Sequence, residues 1–195
     1  MICVLSGHSR SGKDTLGKYL QKNLKDDYYL VAYATYLKKM CRDMFDLSID
    51  QLYGDLKEVP DKRYPKPGTS PVEYWTPREI MQFVGEAFRK VKPDYWVDKL
   101  FDFLDRHNIK NAIITDGRHP EEIDVVLDRG GCHVRVLRDK DMRTVGQDHI
   151  SETALDEFEY VDYIIQNYGT IVDLEDMSKQ LAKEIEKDGR KTKTV

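Results

Sequence analysis

Short apolar runs alternate with amphipathic stretches along this chain. Ile2–Ser6, 28–33, 110–116, Cys132–Leu137 and 160–166 are continuous apolar runs of strand length, and they predict five strands. Helical spacing fills the intervals: 16–24, 36–45, 77–90, a helix opening near Pro120, and a C-terminal helix with Leu174, Met177, Leu181 and Ile185 on one face. Over 77–90 the spacing predicts a buried side of Ile80, Val84, Ala87 and Val91, with Arg78, Gln82 and Glu86 sharing another face. Continuous rather than alternating apolar strands, separated by helices, are the mark of a parallel sheet covered on both sides. The expected fold is therefore α/β, with three layers built on a parallel five-stranded sheet.

Two segments break the rhythm. Residues 55–76 carry Pro60, Pro65, Pro67 and Pro71, which excludes a regular helix or a central strand and predicts a long functional loop. Residues 139–151 are charged, lack periodicity and follow a strand directly, where a lid would sit. The polar stretch 189–195 reads as a flexible tail. No repeat or composition shift divides the chain, so 1–195 is expected to form one domain.

Composition narrows the class. Of the 195 residues, 40% are hydrophobic and 34% charged, with a net charge of −4. That profile fits a globular protein and gives no general nucleic-acid-binding surface. The apolar start is too short for a signal peptide or a membrane span, so a cytoplasmic location is expected. Cys3, Cys41 and Cys132 are widely separated, and Cys3 and Cys132 lie in apolar strand-like runs, as buried thiols do in a reducing compartment.

The densest chemical signal is Gly7-His8-Ser9-Arg10-Ser11-Gly12-Lys13-Asp14-Thr15, placed between a strand and a helix. This is the context in which G-x-x-x-x-G-K-[ST] wraps nucleotide phosphates, displaced here by one residue because Asp14 precedes Thr15. Gly7 and Gly12 allow a tight turn with backbone N–H groups close to phosphate oxygens. The helix start adds its positive dipole end, and Lys13 reaches the β- and γ-phosphates. Ser9, Arg10 and Ser11 complete the loop. A carboxylate at Asp14 repels triphosphate unless a cation intervenes, which implies Mg²⁺ near Asp14 and Thr15.

Asp116 ends an apolar strand and is followed by Gly117-Arg118-His119-Pro120. Strand carboxyl ends form the crevice of an open parallel sheet, so Asp116 and Arg118 are expected on the side of Lys13. Two readings of Asp116 stand: a third group for Mg²⁺, or a cap for the helix near Pro120. A water-activating ATPase often places a carboxylate after the metal aspartate, and here the neighbour is Gly117. A phosphate acceptor needs no base, since its second pKa is about 6; it needs cations that bring two anions into line. Arg10, Lys38, Arg78, Arg118, Arg138 and Arg143 lie at element ends or in loops and can supply them. Gln82, one turn beyond Arg78, can read a base edge. Trp96 can stack on a base or simply pack, and Glu152 belongs to a polar segment able to close over an acceptor.

These motifs resemble the phage-type deoxynucleoside monophosphate kinases, of the P-loop nucleoside monophosphate kinase superfamily, over nearly the whole chain. The resemblance rests on residues 7–15, with their Gly-Lys-Asp-Thr form, and on Tyr33-Ala34-Thr35-Tyr36-Leu37-Lys38. It continues in Thr76-Pro77-Arg78-Glu79 with Gln82 and Gly85, in 115–122, and in His149-Ile150-Ser151-Glu152 followed by 162–167. It implies ATP and Mg²⁺, a deoxynucleoside monophosphate acceptor, a homodimer and, if phage-encoded, a host-cytoplasmic enzyme. Gly117 and His119 replace the Val and Phe usual beside the arginine of the family's strand-end loop. Animal phosphomevalonate kinases resemble the same blueprint and are the alternative acceptor class. A P-loop ATPase or nucleotide switch is a third reading, although the chain lacks the Asn/Thr-Lys-x-Asp stretch of guanine-nucleotide switches.

Overall fold

The computed structural model describes residues 1–138, 154–155 and 158–189. The expected lid at 139–151, with Arg143 and His149, the candidate substrate residue Glu152 and the tail past Gly189 lie outside them. The elements in chain order are β1 (Ile2–Ser6), α1 (Lys13–Asn23), β2 (Tyr29–Val31), α2 (Ala34–Phe45), α3 (Ile49–Tyr53), a 3₁₀ turn (Asp55–Glu58), α4 (Pro77–Val91) and α5 (Tyr95–Arg106). After these come β3 (Ala112–Gly117), α6 (Pro120–Asp128), β4 (Cys132–Leu137), β5 (Tyr163–Gln166) and α7 (Ile171–Gly189). Two compact units result: residues 1–32 with 101–195, and residues 33–100.

The first unit holds the sheet, in the order β2-β3-β1-β4-β5 with every pair parallel. Both faces are buried, as the uninterrupted apolar strands require. Cys3 and Leu5 of β1, Ile113 of β3, Val134 and Val136 of β4 and Ile165 of β5 pack with Leu16 and Leu20 of α1 and with Leu174, Leu181 and Ile185 of α7. On the opposite face Val4 meets Ile123 of α6, close enough that a Cβ on Gly117 would lie 2.7 Å from Val4 and 2.9 Å from Ile123. Packing, not chemistry, thus accounts for Gly117. The three cysteines are free and buried, as the sequence predicts.

One polar side chain crosses this core. His133 on β4 is fully buried. Its Nδ1 lies 2.8 Å from the Tyr160 carbonyl and its Nε2 lies 2.6 Å from the Ser6 hydroxyl. A carbonyl only accepts, so Nδ1 carries the proton and Nε2 accepts from Ser6. Burial lowers the His133 pKa and keeps the ring neutral. The segment before β5, expected to be strand from residue 160, instead serves this ring, and β5 begins at Tyr163.

The second unit is helical. α4 starts at a capping box in which Thr76 and Glu79 satisfy each other's backbone N–H groups. Its buried residues are Pro77, Ile80, Met81 and Gly85. The predicted buried side was therefore rotated: Ala87 is exposed and Val91 is 86% exposed. The reason is Gly85, where a Cβ would lie 3.3 Å from Leu37 of α2; the bare glycine lets the two helices approach. α3 and α5 were not anticipated, although Val97, Leu100, Phe101 and Leu104 carry the i, i+3, i+4, i+7 signature after Pro93-Asp94.

The Pro-rich segment 55–76 is built rather than loose. It holds the 3₁₀ turn and an isolated antiparallel bridge between Pro65 and Tyr74. Asp61 anchors it, accepting from the Arg63 backbone and guanidinium and from Gln51 Nε2 at 2.8 Å. The Arg63 guanidinium holds the Asp61 carboxyl well below the usual carboxylate range.

Candidate functional site

In the first unit, β1 delivers the chain into the loop 7–12, and the loop's geometry explains its glycines. Gly7 has φ 141°, and a Cβ there would sit 2.4 Å from the Val136 carbonyl oxygen. Gly12 has φ 98° and is the N-cap of α1. Arg10 takes a left-handed φ of 63° without being glycine, the sort of outlier that collects at ligand loops. Lys13 is the first residue of α1, is only 7% exposed, and its ammonium donates to the His8 carbonyl at 3.2 Å.

Four of the loop's carbonyls are engaged by the protein. His8 accepts from the Ser11 backbone N–H at 3.1 Å as well as from Lys13. The Arg10 carbonyl accepts from the Arg138 guanidinium at 3.5 Å. The Ser11 carbonyl accepts from Asn167 Nδ2 at 2.8 Å, and the Gly12 carbonyl from Leu16 N–H at 2.9 Å. With carbonyls engaged by the protein and an ammonium at the first turn of α1, the loop suits an anion. The Ser11 hydroxyl is buried and makes no hydrogen bond among the described residues. An orphaned donor in such a loop fits a phosphate oxygen.

β3 ends beside β1, with Ser6 paired to Gly117, so the strand that carries Asp116 finishes at the same end of the sheet as the loop. Asp116 and Arg118 are half-buried there. The cap of α6 is His119, whose ring and Glu122 form the capping box, so Asp116 does not serve that purpose. Glu122 accepts the N–H groups of Arg118 and His119 at 2.8 and 3.2 Å and thereby fixes the loop carrying Arg118. Asp14 is exposed and Thr15 half-buried. Among the described residues no three His, Cys, Asp or Glu side chains converge. Asp14 and Asp116 offer two carboxylates and Thr15 a hydroxyl, a donor set that suits a Mg²⁺ carried mainly on nucleotide phosphates.

In the second unit the cations are paired. Arg78 Nε donates to Glu58 at 2.5 Å, and Lys66 to Glu79 at 2.7 Å. Burial pushes the Glu79 carboxyl up, but hydrogen bonds from Lys66 and Thr76 outweigh it and leave its pKa lowered. Lys38, in the second turn of α2 rather than at its start, places its ammonium 4.0 Å from the Tyr53 ring centroid. The Gln82 side-chain Nε2 is buried and makes no hydrogen bond among the described residues. Trp96 is a core residue, 2% exposed, with its indole N–H on the Gly85 carbonyl at 3.2 Å and its ring against Phe88 and Tyr95. It is not open to stack on a base. Sequence reasoning also missed a 320 Å³ apolar pocket on this unit, lined by Phe45, Tyr64, Trp75 and Phe83 among others. The helical spacing of α4 puts Ile80 and Phe83, which line it, away from Arg78 and Gln82.

Comparison with known proteins places the chain in a family. Residues 67–178 match the sequence profile of a family described as deoxynucleotide monophosphate kinase. The chain is 29% identical over 189 residues to a protein of Acanthamoeba polyphaga mimivirus named "Putative deoxynucleotide monophosphate kinase", covering 88% of this chain and 90% of that one. The crystal structure of shikimate kinase from Aquifex aeolicus superposes with a TM-score of 0.52 at 16% identity, over 98% of this chain and 100% of that one, a likeness of fold alone.

Proposed function

We propose, from the premise that the chain belongs to the deoxynucleotide monophosphate kinase family, that its loop 7–15 binds ATP and that the γ-phosphoryl group passes to a deoxynucleoside 5′-monophosphate, giving a diphosphate and ADP. As a family member it is a nucleotide kinase. ATP as donor, the roles of individual residues, a homodimeric state and a cytoplasmic setting (the host's, if phage-encoded) are our reading. So is the assignment of both compact units to a single kinase domain.

The observation that carries the reading is the loop itself: carbonyls engaged by the protein, a buried Lys13 at the start of α1, and a buried Ser11 hydroxyl with no hydrogen bond among the described residues. Gly7, Ser9, Arg10, Ser11, Gly12, Lys13, Asp14 and Thr15 hold the donor phosphates. Mg²⁺, when bound, neutralises β- and γ-phosphate charge, with Asp14, Thr15 and Asp116 as its protein-side oxygens. Arg10 and Arg138 flank the loop and offset charge as the phosphoryl group moves, and Arg143 is assigned the same task. Arg118, on a loop braced by Glu122, contacts the transferred or acceptor phosphate. In the second unit Lys38 and Arg78 are the acceptor-phosphate groups, and Gln82 offers its amide N–H to a base acceptor atom. Glu152 contacts the acceptor. An acceptor phosphate is largely dianionic at neutral pH, so alignment and charge neutralisation, not base catalysis, carry the reaction.

With family membership established, phosphomevalonate kinase and P-loop ATPase readings have no observation in their favour. An acceptor panel with ATP and Mg²⁺ tests the proposal. ADP release should accelerate with one or more deoxynucleoside monophosphates and stay at the blank rate with mevalonate 5-phosphate. Acceptor-independent ADP release would refute it.

A further inference from the structure

Asn167 lies 156 residues from the phosphate loop in sequence and is locked onto it in space. It follows β5 directly, and its backbone N–H donates to the Leu137 carbonyl at 2.8 Å, continuing the sheet ladder. Its side chain is 5% exposed and donates through Nδ2 to the Ser11 carbonyl at 2.8 Å. Gly12 makes the room: a Cβ at that position would lie 2.4 Å from Asn167 Nδ2.

A trans peptide points its C=O and the next N–H in opposite directions. Pinning the Ser11 carbonyl on Asn167 therefore aims the Gly12 N–H away from Asn167. Were this peptide to flip, a carbonyl dipole would face the position where a loop of this kind holds phosphate, and the left-handed Gly12 has little resistance of its own to such a flip. The side chain of a rigid strand end supplies that resistance.

We propose that Asn167 is a positioning residue for the phosphoryl donor: it fixes the Ser11–Gly12 peptide so that the loop presents N–H rather than C=O to the nucleotide phosphates. This rests on the reading of loop 7–15 as the donor site. Asn167 touches no reacting atom; it acts through Gly12 and Ser11.

The test compares Asn167→Ala, Asn167→Asp and Lys13→Ala in the full chain, with ATP titrated calorimetrically and ATP and acceptor KM measured separately. Asn167→Asp keeps the shape but replaces the donor with a carboxylate facing a carbonyl, so it loses the clamp with the least change in packing. Both Asn167 variants should weaken ATP binding by about tenfold to a hundredfold, the scale of a misplaced positioning group, with Asp the worse. Acceptor KM should stay within about twofold of wild type. A merely structural asparagine would lower the melting temperature and leave the ratio of the two KM values unmoved, and that result overturns the proposal. If Lys13→Ala leaves ATP binding intact, the donor-site reading itself is wrong. If Lys13→Ala abolishes binding while Asn167→Asp binds ATP as tightly as wild type, only the positioning role falls. Independently of any variant, the Asn167 side-chain amide protons of the wild-type protein should exchange slowly without nucleotide. Exchange at the rate of an exposed amide would also overturn the proposal.

Discussion

The phosphate loop of the first unit and the α4 region of the second handle charge in opposite ways. In the loop, the Lys13 ammonium and the Ser11 N–H are held by the loop's own His8 carbonyl, and the Arg10 and Ser11 carbonyls are engaged by Arg138 and Asn167. In the α4 region, side-chain cations are already engaged by the protein's own carboxylates and rings: Arg78 by Glu58, Lys66 by Glu79, Lys38 by Tyr53. On the reading proposed above, a phosphate at the loop has to displace only a neutral backbone carbonyl from Lys13, whereas an acceptor has to compete with a carboxylate for Arg78. That reading gives the donor side a lightly held cation and the acceptor side an exchange of ionic partners.

The largest expected effect breaks the donor half of that contrast. Lys13→Ala should lower turnover by roughly 10²-fold or more, the scale of losing one preorganised charge-stabilising donor, while circular dichroism and melting show the fold retained. Near wild-type turnover would mean that the loop is not the phosphate site.

Next is the exchange half. Arg78→Ala should raise acceptor KM by about tenfold to a hundredfold, the value of a hydrogen bond to a charged group, and leave ATP KM unchanged. Glu58→Gln releases the same arginine and should lower acceptor KM or leave it level. If Glu58→Gln instead raises acceptor KM as much as Arg78→Ala, the pair is a structural brace.

A pH series separates the units by stability. The folded-state pKa of His133 is lowered, so below about 6.5 the unfolded chain binds a proton that the folded one refuses. Stability contributed by His133 is therefore present above that pH and lost as pH falls through the window beneath it. Asp61 is also lowered, by Arg63, so its contribution is present above about 3.9 and lost below. Acid denaturation should show a loss near neutrality that His133→Asn removes, and a later one that Asp61→Asn removes. A single acid transition unchanged by His133→Asn would contradict the buried neutral histidine.

The smallest effect concerns Trp96. Trp96→Phe removes only the hydrogen bond to Gly85 and some packing, and should cost about 1 kcal/mol in urea denaturation with acceptor KM unchanged. A raised acceptor KM would restore Trp96 to the substrate site.

The five strands, α1, α4, α6 and α7 were legible in the sequence because continuous apolar runs and 3.6-residue periodicity survive without knowledge of neighbours. The orientation of α4 was not, since the decisive residue, Gly85, acts by what it lacks. α5 was missed, although its apolar spacing carries the helical signature. The short α3, sealed by a Ser48–Gln51 capping box, carries too few residues for periodicity to register. The order of residues 55–76 hides behind four prolines and depends on Asp61 finding Gln51 and Arg63.

The sequence alone pointed to a nucleotide kinase, because the loop's chemistry is local: its glycines, Lys13 and the helix start are consecutive, and their spacing is the candidate site. Only the tertiary structure decided what holds that loop in shape and which cations are already paired. Asn167 meets Ser11 through parallel strand order, Arg78 meets Glu58 through the fold of a Pro-rich segment, and Trp96 is withdrawn into a core. Each is a contact between distant positions, which spacing along a chain does not encode.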